Sequence, residues 1–345
     1  MAVAATFKAQ NHSGTNVRML GLIALAGVLA VVVLLSLRIG SIGLSTSDAW
    51  DALFNYNAES YDQTVVRTLR LPRTLIGLAV GAALAIAGAM MQAVTRNPLA
   101  DPSILGVNTG ASVAVVGAIF YLQLASPEQF VWFAFFGALT ASVLVYGVAS
   151  AGRGGATPVK LALAGVVVTG LLSSWISALL LLDEQTLDVA RFWLAGSLAG
   201  RKLDVLWIVL PFLLTGIALG LLMARQLNVM SLGEDTAKAM GLHTGRVRVL
   251  TAVAVVLMTG ASVAAAGPIG FVGLAVPHLV RSFVGPDYRW ILPYSLVVGP
   301  ILLLSSDILG RVVVRPAELQ VGVITALCGA PFLIIIARSR RVASL

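Results

Sequence analysis

The sequence predicts an all-α, polytopic membrane fold of about ten transmembrane helices, and three observations carry that prediction. Ten apolar stretches, most of them about twenty residues long and almost free of charge, fill most of the 345 residues. A hydrocarbon layer about 30 Å thick needs roughly 20 apolar residues per helical span, so each stretch has the length of a crossing. Lipid offers no partner to exposed backbone amides, and runs this long therefore close their hydrogen bonds as helices rather than open strands. With 58% hydrophobic and 11% charged residues, little chain remains for a domain outside the bilayer. The expected organisation is one transmembrane domain at 19–337 between cytoplasmic tails at 1–18 and 338–345.

In chain order the spans are expected at 19–37, 75–94, 104–124, 130–149, 161–182, 203–224, 249–266, 269–283, 290–309 and 319–337. The first run exceeds the roughly 7 to 15 residues of a secretory signal core and precedes no convincing cleavage site, so it is read as a true span. Gly77, Gly81, Ala85 and Ala89 in the second span form a small-residue ridge at four-residue spacing, as do the pairs Gly106/Gly110 and Gly216/Gly220. Helices approach closely over such ridges. The string GAALAIAG at 81–88 reappears as GASVAAAG at 260–267, and a proline, Pro98 or Pro277, follows each at the same distance. The first copy would run inward and the second outward, as in inverted-topology repeats of transporters. Chance similarity between two alanine-rich helices fits the same strings.

A formal charge of +8 raises the question of nucleic acid, but the 23 basic residues are scattered through the connections instead of gathered on one surface. Topology accounts for them. With both termini in the cytoplasm, fourteen face inward: Lys8, Arg18, Arg96, Arg153, Lys160, Arg225, Lys238, Arg246, Arg248, Arg281, Arg289, Arg338, Arg340 and Arg341. Arg67, Arg70 and Arg73 crowd one outer connection, an excess that asks for its own reason.

Several function classes find no support. No phosphate-binding G-x-x-x-x-G-K-[ST] loop occurs, so energy from ATP would have to come through another subunit. The span centres hold no acid or base of the kind that binds a driving ion, which disfavours a stand-alone ion-coupled carrier. His12, His243 and His278 are far apart and Cys328 is single, so no metal site and no cofactor is expected, and no catalytic residue is nominated. Cys328 reads as a small core residue of the last span.

The most informative connection lies on the expected cytoplasmic side at 231–242, where Ser231, Leu232, Gly233, Glu234, Asp235, Lys238, Met240, Gly241 and Leu242 outline a short helix. Ser231 and Glu234 have capping-box spacing, Gly241 suits the left-handed C-terminal position, and Glu234 can pair with Lys238 one turn on. Leu232 and Met240 would project outward, either into a groove on a cytoplasmic partner or onto the lipid surface.

Together these segments resemble the permease subunits of bacterial ABC importers for iron-siderophore complexes, haem and cobalamin, the FecCD family. The resemblance rests on Arg70-Leu71-Pro72-Arg73, RNPLADPSILGVNTGAS at 96–112, SLGEDTAKAMGL at 231–242, GPIGFVGLAVPHLVR at 267–281 and ELQVGVITALCGAP at 318–331. It covers nearly the whole chain and implies the fold of the cobalamin-importer permease, a type II ABC importer, in the bacterial cytoplasmic membrane. It further implies a second, identical or paralogous permease, two ATPase subunits seated on the 225–247 loop, and a periplasmic or lipid-anchored binding protein. Iron-siderophore is the substrate this resemblance favours, with haem and cobalamin as alternatives.

By the same resemblance, Arg70, Arg73 and Arg311 match the arginines that receive the binding protein's carboxylates; the plainer reading of Arg70 and Arg73 is a helix end anchored at the headgroups. Ser173, Ser174 and Ile176 of the fifth span and Val323, Thr325 and Leu327 of the tenth are expected along the translocation pathway, with Trp193, Gly196 and Ser197 at the outer gate. Each has the alternative of ordinary packing, and Trp193 that of an interfacial aromatic. His278 reads as a polar residue at the inner end of the eighth span. Gln320 stands where the family commonly has proline, which bears on the angle at which the last helix starts.

Overall fold

The computed structural model describes residues 2–40, 43–124, 126–151 and 157–338, the side chains of 2–13, 127, 158 and 335–338 excepted. Of the basic residues assigned to the inner face, Arg153, Arg340 and Arg341 lie outside the described residues, as do the side chains of Lys8 and Arg338 and the tail at 339–345.

All ten expected spans are helical. In order the chain forms α1 (Ala2–Arg38), α2 (Thr46–Phe54), α3 (Tyr61–Val65), α4 (Leu71–Thr95), α5 (Val107–Leu122), α6 (Pro127–Ser150), α7 (Pro158–Leu182), α8 (Glu184–Leu194), α9 (Leu203–Leu222), α10 (Ala224–Ser231), α11 (Glu234–Ala239), α12 (Thr244–Ala266), α13 (Val272–Val284), α14 (Tyr288–Val313) and α15 (Val321–Arg338). Among the described residues seven helices have the length and hydropathy to cross a membrane, and α5, α13 and α15 supply three shorter apolar ones. Several expected boundaries move, α1 starting already at Ala2, α4 at Leu71 and α12 at Thr244, and α14 running on to Val313. The third span begins after a 3-10 turn at Pro102–Leu105 and a left-handed Gly106, and the sixth ends at Leu222, where the chain turns into α10.

Helix α4 is the centre of the bundle, packed by α9, α12, α13 and α14. Its alanines and glycines permit this: a Cβ on Gly88 would lie 1.7 Å from the Gly273 carbonyl oxygen of α13, and one on Gly81 would meet the α14 backbone at Pro300 at 2.8 Å. Backbones in contact at this range gain dispersion energy where lipid supplies no hydrophobic drive between helices.

The repeat suggested by the glycine strings extends to packing. Helices α4, α5, α6 and α7 stand to one another as α12, α13, α14 and α15 do, with α5 on α6, α6 on α7 and α5 on α7 matched by α13 on α14, α14 on α15 and α13 on α15. Across the halves, α4 packs on α13 and α14 as α12 packs on α5 and α6. A residue in the left-handed conformation, Gly106 or Phe271, precedes each short helix, α5 and α13.

Two ends of the bundle can be told apart. Arg18 of α1, whose carbonyl accepts from Tyr294, lies with the start of α14 and with α10; the end of α1, the start of α4 and Arg311 near the end of α14 lie at the other. At 26 residues, α14 holds these ends about 39 Å apart.

Candidate functional sites on opposite faces

The 231–242 connection holds one short helix, α11 (Glu234–Ala239), directly after the end of α10 at Ser231. The capping box is not formed: Ser231 closes α10, its hydroxyl donating to the Asn228 carbonyl at 2.7 Å, and Gly233 at φ 115° stands as the N-cap of α11. Only glycine takes that backbone conformation readily, which is why the string needs it there. Glu234 therefore points elsewhere, receiving Lys238 at 3.1 Å and Arg248 of α12 at 3.0 Å. The hydrogen bond from Lys238 holds its carboxyl below the ordinary range, against burial that works the other way, with Arg248 adding to the depression. Gly241 takes the left-handed conformation, and Leu242 closes the turn on the Ala237 carbonyl at 2.9 Å. Leu232 and Met240 are 63% and 61% exposed, two apolar side chains on a braced element.

A residue not singled out by the sequence ties this element to the bundle. Asn228 of α10 donates to Asp287 at 2.6 Å and accepts from the Tyr288 amide at 2.7 Å, clasping the first turn of α14. Burial pushes the Asp287 carboxyl up, but hydrogen bonds from Arg289 and Asn228 outweigh it and bring the group to about 2. Arg281 of α13 continues the chain of contacts, donating to the Tyr288 hydroxyl at 3.0 Å and to Gln92 of α4 at 2.6 Å. Four helices thus meet through polar side chains below the apolar core. A sequence pattern offers little warning of this, because Asn228 and Asp287 are 59 residues apart.

At the opposite end the three nominated arginines converge, though they are buried. A π turn at Val66–Arg70 leads into α4, an irregularity that often marks function. Arg70 donates to the Leu37 and Arg38 carbonyls at the end of α1, at 3.0 and 2.5 Å. Arg73 grips Asp307 of α14 through Nε and Nη2, at 2.8 to 3.1 Å, and reaches Glu318 with Nη1 at 2.7 Å. Arg311, 1% exposed, meets Asp307 at 2.9 Å and caps the end of α1 at Ser36 and Ile39. The plain headgroup-anchor reading of Arg70 and Arg73 does not describe this arrangement. Asp307 was not singled out by the sequence; its i, i+4 spacing to Arg311 is the one local signal that could have pointed to it. Around Arg70, Arg73, Arg311 and Glu318 lies a pocket of about 250 Å³.

The remaining residues divide. Gly196 at φ 71° turns the chain beneath α8, accepting from the Gly322 amide at 3.0 Å, while the Ser197 amide donates to the Ala266 carbonyl at 2.7 Å. Trp193 is buried, so the interfacial-aromatic alternative falls away. Val323 and Leu327 share an open groove with Ala195 and Pro268. Thr325 lies on the other side of α15, buried beside Phe271, so helical periodicity separates it from its two neighbours. On α7 Ser173 and Ser174 are exposed, and Ile176 packs partly against the core. Cys328 is exposed rather than a core residue, and His278 sits mid-α13 with its ring edge-on to Phe332 at 5.8 Å, away from the helix end. Among the described residues no cluster of three or more His, Cys, Asp or Glu that could hold a metal ion occurs.

An all-helical apolar bundle with an internal repeat, a braced two-helix loop on one face and an arginine pocket on the other defines a polytopic transport subunit. The chain belongs to the FecCD transport family, whose sequence profile matches residues 28–339. The ferric enterobactin transport system permease protein FepD of Escherichia coli (strain K12) is 46% identical over 322 residues, covering 92% of this chain and 96% of that protein. The Fe(3+)-citrate import system permease protein YfmD of Bacillus subtilis (strain 168) is 46% identical over 307 residues, covering 89% and 91%. A solved structure described as an inward-facing conformation of a proposed metal-chelate type ABC transporter superposes with a TM-score of 0.80 at 31% identity, covering 92% of this chain and 98% of that one.

Proposed function

We propose that this permease subunit of a metal-chelate-type ABC importer carries a ferric siderophore across the bacterial cytoplasmic membrane, with both termini inside. The observation that carries the reading is the α10–α11 element, which presents Leu232 and Met240 outward on a scaffold braced by Glu234, Lys238 and Arg248. Two exposed apolar side chains on so short a polar element suit a groove in an ATPase subunit. Nucleotide-driven closure of the ATPases would press on α10 and α11, and Asn228 and Arg281 would hand that movement to α14, α13 and α4.

A second permease would face the exposed side of α7 and the groove of α15, placing Ser173, Ser174, Val323 and Leu327 beside the pathway, with Gly196 and Ser197 at its outer gate. A binding protein would deliver cargo to the face of the arginine pocket, where opposite charges speed encounter and fix orientation more than they add affinity. Relatives named for enterobactin and citrate complexes support a ferric chelate as cargo. The test is uptake of a radiolabelled ferric siderophore by proteoliposomes holding permease, ATPase and binding protein. ATP-dependent uptake that Leu232→Asp abolishes is expected; uptake indifferent to that change overturns the coupling assignment.

A further inference from the structure

The arginine pocket already contains a carboxylate of the chain's own, and its two acids are held very differently. Asp307 is fully buried and locked by both Arg73 and Arg311. Glu318 touches only the outer edge of Arg73, Nη1 to Oε2 at 2.7 Å, and keeps 29% of its side chain exposed. It sits on the non-helical segment between α14 and α15, whereas Asp307 is built into a helix.

Arg311 has no such replaceable contact. Its Nη1 donates to the Ser36 and Ile39 carbonyls at 2.8 and 2.7 Å, and its Nη2 to the Ser36 hydroxyl and to Asp307, both at 2.9 Å. Among the ion pairs of this cluster, the one that a carboxylate arriving from outside can exchange is therefore the edge of Arg73 that Glu318 occupies. Three guanidinium groups against two carboxylates leave the cluster attractive to that arrival, and the pocket of about 250 Å³ has room for it.

The segment that bears Glu318 leads directly to the gate. Leu319 donates its amide to the Gly310 carbonyl at 2.9 Å, and three residues on the Gly322 amide donates to the Gly196 carbonyl at 3.0 Å. The fit at that point is close, since a Cβ on Gly322 would lie 2.2 Å from the Ala195 carbonyl oxygen. A shift of Glu318 cannot be absorbed there by a flexible side chain.

We propose that Glu318 is an internal stand-in for the docking carboxylate: the binding protein's acid displaces it from Arg73, and the freed 314–320 segment passes the displacement through Gly322 to Gly196 at the outer gate. The inference rests on the docking reading above. Arg73 keeps Asp307 throughout, so exchange of the outer carboxylate leaves the buried guanidinium paired at every stage. Glu318 is thus a positioning residue.

The experiment uses the assembled transporter in lipid nanodiscs and the binding protein that stimulates its ATP hydrolysis. Glu318→Gln removes the competing charge, so affinity for the binding protein should rise by about fivefold, the size expected of a partly exposed ion pair, while stimulation of hydrolysis at saturation falls. Independently of that variant, a spin label at Ala317→Cys in a Cys328→Ser background should gain mobility when the binding protein docks. Unchanged or weaker affinity in Glu318→Gln, or a label indifferent to docking, overturns the exchange; if Arg70→Ala still weakens binding, the docking reading survives it. Binding that neither Arg70→Ala nor Glu318→Gln alters defeats the docking reading itself.

Discussion

Replacing Asp307 with asparagine removes the carboxylate that Arg73 and Arg311 share while keeping its shape. In the native chain that group accepts Arg73 Nε at 3.0 and 3.1 Å, Arg73 Nη2 at 2.8 Å and Arg311 Nη2 at 2.9 Å. Both guanidinium side chains are nearly covered, at 11% and 2% exposure, so water cannot take over the role of the lost charge. Breaking a buried pair by removing one partner costs about 3–5 kcal/mol. At about 2 °C per kcal/mol for a chain of this size, thermal unfolding in nanodiscs should fall by about 6–10 °C. Lys238→Ala, which breaks a pair exposed on both sides, should leave no measurable shift. Tryptophan fluorescence during a thermal ramp reads both variants. If Asp307→Asn melts with the native protein, the cluster does not hold the ends of α1, α4 and α14 together as described.

Other outcomes follow from the same contacts. Met240→Ala with Glu234→Gln should lower ATP hydrolysis linked to transport while the permease still assembles, measured as siderophore imported per ATP consumed; an unchanged ratio counts against coupling through α11. Asn228→Ala leaves the Tyr288 amide without its 2.7 Å acceptor, at a cost of about 1–2 kcal/mol, and should reduce uptake more than basal hydrolysis. Gly88→Ala drives a methyl group into the Gly273 carbonyl oxygen and should abolish assembly, read as loss of the monodisperse peak in gel filtration. Because the Asp287 carboxyl is depressed to about 2, its contribution is present above the ordinary carboxylate range and is lost only as pH falls through about 2. Hydrogen exchange at the start of α14 should therefore be steady from pH 8 to pH 5 once corrected for intrinsic rates, and a slackening near pH 6 would tell against the Asp287 clasp.

The helices were legible because span length is set by the bilayer and needs no knowledge of neighbours. The pairing of Glu234 with Lys238 and the conformation of Gly241 were legible because they are local. The capping box failed as an expectation because Ser231 ends α10 and Gly233, at positive φ, takes the N-cap position of α11, a choice that spacing alone does not determine. Nothing local indicated that Arg73 would find Asp307, 234 residues away, or that a π turn would precede it. Thr325 was grouped with Val323 and Leu327 although helical geometry puts it on the opposite side of α15, a separation that the sequence contained and that only the packing made evident. Cys328, expected inside, lies exposed on the last helix.

In the proposed function, force from nucleotide hydrolysis elsewhere enters through α10 and α11. The most direct measurement is uptake of a ferric siderophore into proteoliposomes with the ATPase subunits present or omitted, under imposed proton and sodium gradients. Uptake that requires the ATPases and ATP and ignores both gradients is the predicted result. Accumulation driven by either gradient through the permease alone would contradict it.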